Sequence, residues 1–350
     1  MTWTMIWPEN MTMNKIAMIG AGSWGTALAL LLSREKIPVT LWDHDGEHIA
    51  QLGADRENRR HLPGHPFPAD LHTTDSLAEA VKDAGCVTMV VPSHGFRAVY
   101  RRAYPHIREQ ALVVSATKGI EIESGMTMTQ IMRAEGDGTK HLQCGVLSGP
   151  SFAAEVADRQ PTAVTVAFAD PQAAATVQRL FSTEYFRVYT SGDIIGLELS
   201  AAMKNVIAIA AGICDGLNCG LNTRAALITR GLAEITRLGV ALGGDPQTFS
   251  GLGGLGDLVL TCTGNLSRNR TVGLKLGSGR TMEQTMSEMQ MVAEGVKTTK
   301  SCYQLASELQ VEMPILEQMH HILYHGKPCR EAVAELYRRD LKQEADIQGR

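Results

Sequence analysis

The chain of 350 residues has no long apolar run, no strong excess of either charge and no paired cysteine pattern. Lys and Arg number 33 against 37 Asp and Glu, a net charge of −4, which gives no global reason to expect nucleic acid or an anionic membrane as partner. The seven cysteines are scattered, and only Cys214 and Cys219 lie close, in a C-x4-C spacing with no second pair and no nearby histidine. That excludes a recognisable zinc site and does not suggest a disulfide scaffold, so no metal, reduced thiols and a cytoplasmic protein are expected. No apolar run approaches the roughly 18 residues of a membrane span, so no transmembrane segment is expected. The small-residue stretch 208–212 is closed off by Lys204 and Asp215. Residues 1–10 lack a basic start and are interrupted by Pro8 and Glu9, which reads as a start-site extension or loose tail rather than a secretory signal.

With 44% hydrophobic and 20% charged residues the chain reads as globular, and its length suggests two domains. In the first half, short apolar runs at 15–20 (KIAMIG), 39–42, 87–91 (VTMVV), 111–115 (ALVVS), 145–147 and 162–168 alternate with helical stretches such as 26–33 and 171–181. Continuous apolar runs between helices indicate parallel strands buried on both faces, hence an α/β, Rossmann-type doubly wound sheet. From about Asp193 the sequence turns Ala- and Leu-rich with helical spacing, broken by glycines at 243–244 and 251–256. The expected organisation is a dinucleotide-binding domain over 12–190 and an all-α substrate domain over 191–342, with tails at 1–11 and 343–350.

Gly20-Ala21-Gly22-Ser23-Trp24-Gly25 fits G-x-G-x-x-G and stands where that motif carries meaning, after the first strand and at the start of a helix. Gly20 permits the tight turn, Gly22 lets a pyrophosphate approach the backbone, Gly25 allows close helix–strand packing, and the helix N-terminus faces the phosphates. The second strand ends at Asp43-His44. Asp43 stands where an acid would hold the ribose hydroxyls of NAD, whereas His44, with Arg56, could meet the 2′-phosphate of NADP. NAD and NADP both remain open.

Polar clusters follow the strands and helices: VPSH at 91–94, ATKGIE at 116–121, LSGPSFAAEV at 147–156, ELSAAMKNVIAIAAGICDGL at 198–217, GLGGLGDLVLTCTGNLSRNR at 251–270 and VAEGVKT at 292–298. Together with GAGSWGTALA at 20–29, these motifs resemble the bacterial type of NAD(P)-dependent glycerol-3-phosphate dehydrogenases over residues 15–300. The resemblance implies hydride transfer between NAD(P)H and dihydroxyacetone phosphate to give sn-glycerol 3-phosphate, reversibly, feeding glycerophospholipid synthesis. It implies Lys204 as proton donor and acceptor, Lys118 as second active-site lysine touching both substrate and cofactor, and Asp257 as a substrate-side carboxylate that holds Lys204 by a charged hydrogen bond. A lysine among Leu197, Leu199, Ala201, Ala202, Val206 and Ile207 is costly to bury, and burial beside a second cation would lower its proton affinity.

The resemblance places Ser267, Arg268 and Asn269 as a substrate-phosphate clamp, Arg268 also near the cofactor. An arginine fork with neutral donors suits a phosphate monoester. By the same matching, Gly149 and Ser151 contact substrate, Thr261 lies on the substrate side, and Ser23, Trp24, Ala153, Val292 and Glu294 contact cofactor. As bare patterns, Ser267 and Asp257 also read as helix N-caps, Lys118 as a loop lysine and Glu294 as a surface glutamate. His94 reads as loop, 282–291 as packing and Arg270 as solvated, while His61 stands where the family more often has an aromatic. Two other functions are compatible with the architecture: a β-hydroxyacid or ketopantoate-type reductase, disfavoured by the phosphate clamp, and a non-catalytic dinucleotide sensor. The substrate is a small molecule in the leading reading. The oligomeric state is not fixed by the sequence, and a homodimer stays open.

Overall fold

A computed structural model of the chain describes residues 15–288, 293–341 and 343–344. Ten strands fall in its first half. They are β1 (Ile16–Ile19), β2 (Val39–Trp42), β3 (Glu57–Asn58), β4 (Leu62–Pro66), β5 (Leu71–Thr74), β6 (Cys86–Met89), β7 (Leu112–Ser115), β8 (Gln143–Ser148), β9 (Thr162–Phe168) and β10 (Phe186–Ser191). Eight of them form one sheet in the order β10-β9-β8-β7-β6-β1-β2-β5, and β3 pairs with β4 as a separate antiparallel hairpin. Along β1, Ile16 and Met18 join the core on one face while Ala17 and Ile19 join the core on the other, all four fully buried. This two-sided burial is why the strand reads as an unbroken apolar run. The chain leaves β1 toward β2 and β5, then returns to β6 on the other side of β1. That reversal opens a crevice at the carboxyl ends of β1 and β6, where open α/β sheets bind ligands.

The main sheet departs from the all-parallel expectation at one place. β8 and β9 pair antiparallel, with Gly145 opposite Phe168 and Ser148 opposite Thr165, whereas the other neighbouring pairs are parallel. The link after Ser148 therefore stays at the carboxyl end of the sheet, and its short helix Ala153–Ala157 packs on the helix Ser23–Arg34 behind the glycine loop. A parallel continuation would have carried this segment away from the crevice. β5 (Leu-His-Thr-Thr) and β10 were not foreseen, because each is a sheet-edge strand with polar residues and lacks the apolar run of the inner strands.

Asp193 starts the second half as the cap of a 23-residue helix, Ile194–Gly216, its side chain accepting from the Gly196 amide at 2.8 Å. This helix is long and apolar enough to cross a membrane by length and composition, which amends the expectation that no stretch approaches a span, yet 94% of its most apolar window is buried inside the protein. It is the axis around which the helices Gly220–Ala241, Asp257–Thr263, Arg268–Gly277 and Glu294–Glu308 pack. One neighbour approaches unusually closely: a Cβ on Gly273 would lie 1.9 Å from the Ile209 carbonyl oxygen, and one on Gly212 would lie 2.0 Å from that of Arg270. Only glycine allows this crossing, and it sets the N-terminus of Arg268–Gly277 beside Lys204 and Asn205. Arg270, expected to be solvated, instead pairs with Asp215 at the end of the axial helix at 2.7 Å. The two halves are tied by Glu198 of the axial helix. Its buried carboxylate accepts from the Thr129 amide at 2.8 Å and so caps the helix Met128–Glu135 of the sheet domain.

Candidate active site

A cleft of about 710 Å³ runs from the carboxyl ends of β1, β2 and β6 to the axial helix. That size falls in the range of small-molecule sites. At one end is the glycine loop. A Cβ on Gly25 would sit 1.9 Å from the Gly20 carbonyl oxygen, and one on Gly20 would sit 2.9 Å from the Val90 backbone, so the protein's own packing demands both glycines. Gly22 is different: nothing lies within 4 Å of the place its Cβ would occupy, and it lines the cleft. Behind it, the helix Ser23–Arg34 has no side-chain cap and no acidic residue in its first turn. Its free amides therefore suit a pyrophosphate. Ser23 and Trp24 line the same wall, and the buried Trp24 Nε1 has no hydrogen-bond partner. The residues present thus fit a dinucleotide.

Asp43 and His44 lie at the far end of this wall. The Asp43 carboxylate accepts from the amides of Ala21 at 3.0 Å and Asp45 at 3.2 Å, so it braces the glycine loop, and it meets His44 Nδ1 at 2.9 Å. Arg56, expected near a 2′-phosphate, is not there. Its guanidinium donates to the carbonyls of Leu71, Phe67 and Pro68 and closes the loop before β5. The basic groups that line this end are Arg60, paired with Asp45 at 3.1 Å, and the rings of His48 and His61. His48 comes from the helix Gly46–Asp55, while Arg60 and His61 reach this end because the β3–β4 hairpin folds back over the glycine loop, where Ser23 Oγ donates to the His61 carbonyl at 2.7 Å. No short-range pattern encodes that return. Burial, with the neighbouring His48 and Arg60, pushes the His61 imidazole below its ordinary range.

The other end holds a three-residue charge cluster. Lys204 Nζ donates to Asp257 Oδ1 and, at 2.9 Å, to Thr261 Oγ1, while Lys118 Nζ donates to Asp257 Oδ2 at 2.8 Å and to the Gly149 carbonyl at 3.2 Å. Lys204 and Asp257 are buried, and Lys118 is partly so. Two ammonium groups share one carboxylate, which leaves one excess positive charge in a poorly solvated place. Burial is the main force pushing the Lys204 ammonium down, to about 7. Asp257 resists this and Lys118 adds to it. Burial works against the Asp257 charge, but the two lysines outweigh it and hold the carboxyl below the usual range. Lys118, Lys204 and Thr261 line the cleft, whereas Asp257 and Gly149 do not; they lie behind the lysines and hold them.

Beside this cluster, Ser267, Arg268 and Asn269 also line the cleft. Ser267 Oγ accepts from the Arg270 amide at 3.2 Å and caps the helix Arg268–Gly277. Asn269 donates to Asn205 Oδ1 at 2.9 Å and accepts from the Gly295 amide at 3.0 Å, pinning three helices together. Arg268 is exposed toward the cleft, and partial desolvation lowers its proton affinity against the pull of Glu294. Glu294, the first residue of its helix, accepts from Ser93 Oγ at 2.7 Å and lines the cleft, as do Ser151 and Ala153. His94, expected in a loop, is in the first turn of the helix Ser93–Ala103 and also faces the cleft. Val292 lies outside the described residues, as does the end of the 282–291 stretch, whose first part is the helix Met282–Ser287. Among the described residues no cluster of His, Cys, Asp or Glu could hold a metal ion.

The chain matches the family models described as NAD-dependent glycerol-3-phosphate dehydrogenase N-terminus over residues 15–174 and C-terminus over residues 193–334. It is 59% identical over 332 residues to a glycerol-3-phosphate dehydrogenase (NAD(P)+) of Desulfotalea psychrophila, covering 94% of this chain and 98% of the relative. It is 54% identical over 330 residues to one of Geobacter sp. strain M21, with the same coverage. A crystal structure of glycerol-3-phosphate dehydrogenase from Coxiella burnetii superposes with a TM-score of 0.90 at 40% identity, over 93% of this chain and 99% of that one. Glycine loop, lysine–aspartate cluster and two-domain frame therefore sit in a chain that belongs to the NAD-dependent glycerol-3-phosphate dehydrogenase family.

Proposed function

We infer that this chain is an oxidoreductase that moves a hydride reversibly between NAD(P)H and the C2 carbon of dihydroxyacetone phosphate, yielding sn-glycerol 3-phosphate for glycerophospholipid synthesis. The observation that carries the mechanism is the pair of lysines on Asp257 in the same cleft as the open glycine loop. When bound, the reduced nicotinamide supplies the hydride. Lys204 gives its proton to the C2 oxygen as that oxygen gains charge, and in the reverse direction the neutral amine takes the proton back. Lys118 holds a fixed positive charge beside the same oxygen, where the alkoxide develops. Asp257 orients both ammonium groups from behind, and Thr261 steadies Lys204. Arg268 binds the substrate phosphate with the free amide hydrogen of Asn269. Ser267 serves through the helix cap that points Arg268 into the cleft, and Gly149 through its carbonyl on Lys118, with Ser151 beside it. Gly20, Gly22, Ser23, Trp24, Gly25 and His44 hold the dinucleotide at one end, and Ala153, Val292 and Glu294 hold it toward the nicotinamide.

On this reading residues 12–190 form the dinucleotide-binding domain and 191–342 the substrate domain. The seven cysteines are all free, which supports a reducing, cytoplasmic setting. The test is loss of nicotinamide absorbance when the purified chain meets dihydroxyacetone phosphate with NADH or NADPH. Turnover is expected with at least one of them, and none with ketopantoate. Tight cofactor binding without turnover of the phosphate would favour a sensor and overturn the reading.

A further inference from the structure

Lys118 comes from a loop, and that loop is fixed almost residue by residue. Thr117 Oγ1 donates to the Val91 carbonyl at 2.7 Å, and a Cβ on Gly119 would lie 2.6 Å from that of Ser93. Ile120 is inserted into the core of the helical half, with its carbonyl accepting from Ser301 Oγ at 3.3 Å. The last tie is at Glu121. Arg97, on the helix Ser93–Ala103, donates through Nε to both Glu121 oxygens at 2.8 and 3.1 Å and through Nη2 to Oε2 at 2.5 Å. Its Nη1 meets Glu135 at 2.6 Å, at the end of the helix Met128–Glu135, where Arg101 grips the same carboxylate. Arg97 does not line the cleft.

We propose that Arg97 is a positioning residue which, by clamping Glu121, fixes the loop that presents Lys118 to Asp257. The proposal rests on the roles given above to the two lysines. An isolated surface ion pair would be worth little. Here the fork is bidentate and the carboxylates of Glu121 and Glu135 are only 11% and 10% exposed. Without Arg97 the Glu121 carboxylate keeps only the Ser124 hydroxyl among its side-chain partners and turns toward water, three residues from Lys118. If Lys118 drifts from Asp257, Lys204 keeps the carboxylate to itself and loses the repulsion of its neighbour. Beside this cluster, on the same helix as Asp257, stands the Cys262 thiol, which burial pushes up to about 12.

The test is the pH profile of kcat/KM for dihydroxyacetone phosphate reduction in the full chain, for wild type, Arg97→Ala, Arg97→Lys, Glu121→Gln and Lys118→Ala. Arg97→Ala should lower kcat/KM by about ten- to a hundredfold, the cost of a misplacement on the order of an ångström. It should also move the alkaline limb to higher pH, in the direction Lys118→Ala moves it, with Arg97→Lys between. Should Arg97→Ala fail to fold, Glu121→Gln is expected to give the same displacement. A limb that moves in Lys118→Ala but stays in place in Arg97→Ala and Glu121→Gln would leave Arg97 purely structural and overturn the proposal. A limb unmoved even in Lys118→Ala would defeat the shared-aspartate reading itself, and the proposal with it.

Discussion

Lys204 holds a proton that burial makes easy to lose, and Asp257 prevents it from being lost altogether. This balance has a pH signature. Reduction needs the ammonium form, so its kcat/KM should fall as pH rises through about 7. Oxidation of sn-glycerol 3-phosphate needs the amine, so its kcat/KM should rise over the same interval. Parallel profiles in the two directions would place the titrating group elsewhere. Arg268 offers a second test at this scale. Losing a charge-assisted bond worth about 1.5–3 kcal/mol should raise KM for dihydroxyacetone phosphate at least tenfold in Arg268→Ala, and steady-state kinetics with saturating cofactor would read it. An unchanged KM would remove Arg268 from phosphate binding.

Among the elements, the glycine crossing between Ile194–Gly216 and Arg268–Gly277 places Ser267, Arg268 and Asn269, the proposed phosphate clamp, beside Lys204, the proposed base. Gly273→Ala forces a methyl group into a backbone carbonyl. It should cost about 1–3 kcal/mol, read as a lower urea midpoint, and also raise KM for the phosphate substrate, because Arg268 starts the displaced helix. A stability loss with unchanged KM would uncouple the crossing from the clamp. The inner strands and the glycine loop were legible in the sequence because burial on both faces and a ligand-facing turn leave local patterns, as in KIAMIG followed by GAGSWG. Lys204 stood out in the sequence partly by its apolar neighbours, but its grouping with Lys118 and Asp257 across 139 positions of chain left no local pattern and was suggested only by motif resemblance. The antiparallel turn into β9, the edge strand β5 and the return of Arg60 and His61 to the cleft were not legible. Each depends on tertiary neighbours rather than on residues nearby in the sequence.

Among the described residues, two carboxylates are buried away from the lysine cluster, Glu198 joining the two halves and Glu234 capping the helix Pro314–His325 through the amides of Ile315 and Leu316. Burial raises the Glu234 carboxyl to about 7. A raised folded value means the native state binds the extra proton, so this contribution is complete below the ordinary carboxyl range. It fades as pH climbs toward about 7. Glu234→Gln keeps an acceptor for the helix amides and should flatten that part of the stability profile, by up to roughly 3 kcal/mol between about pH 4.5 and 7 in urea unfolding. An identical slope in the variant would show that Glu234 titrates normally.

All of the proposed chemistry passes through one nitrogen, so single-turnover hydride transfer in wild type, Lys204→Ala and Lys204→Arg is the decisive measurement, with cofactor affinity taken separately by fluorescence. Lys204→Ala should lose roughly 100- to 10,000-fold in the transfer rate while binding NAD(P)H nearly as wild type does. Lys204→Arg should not recover the rate, because a guanidinium holds its proton too tightly to act as acid. A Lys204→Ala enzyme keeping more than about a tenth of the wild-type rate would contradict the assignment and make Lys118 the acid instead.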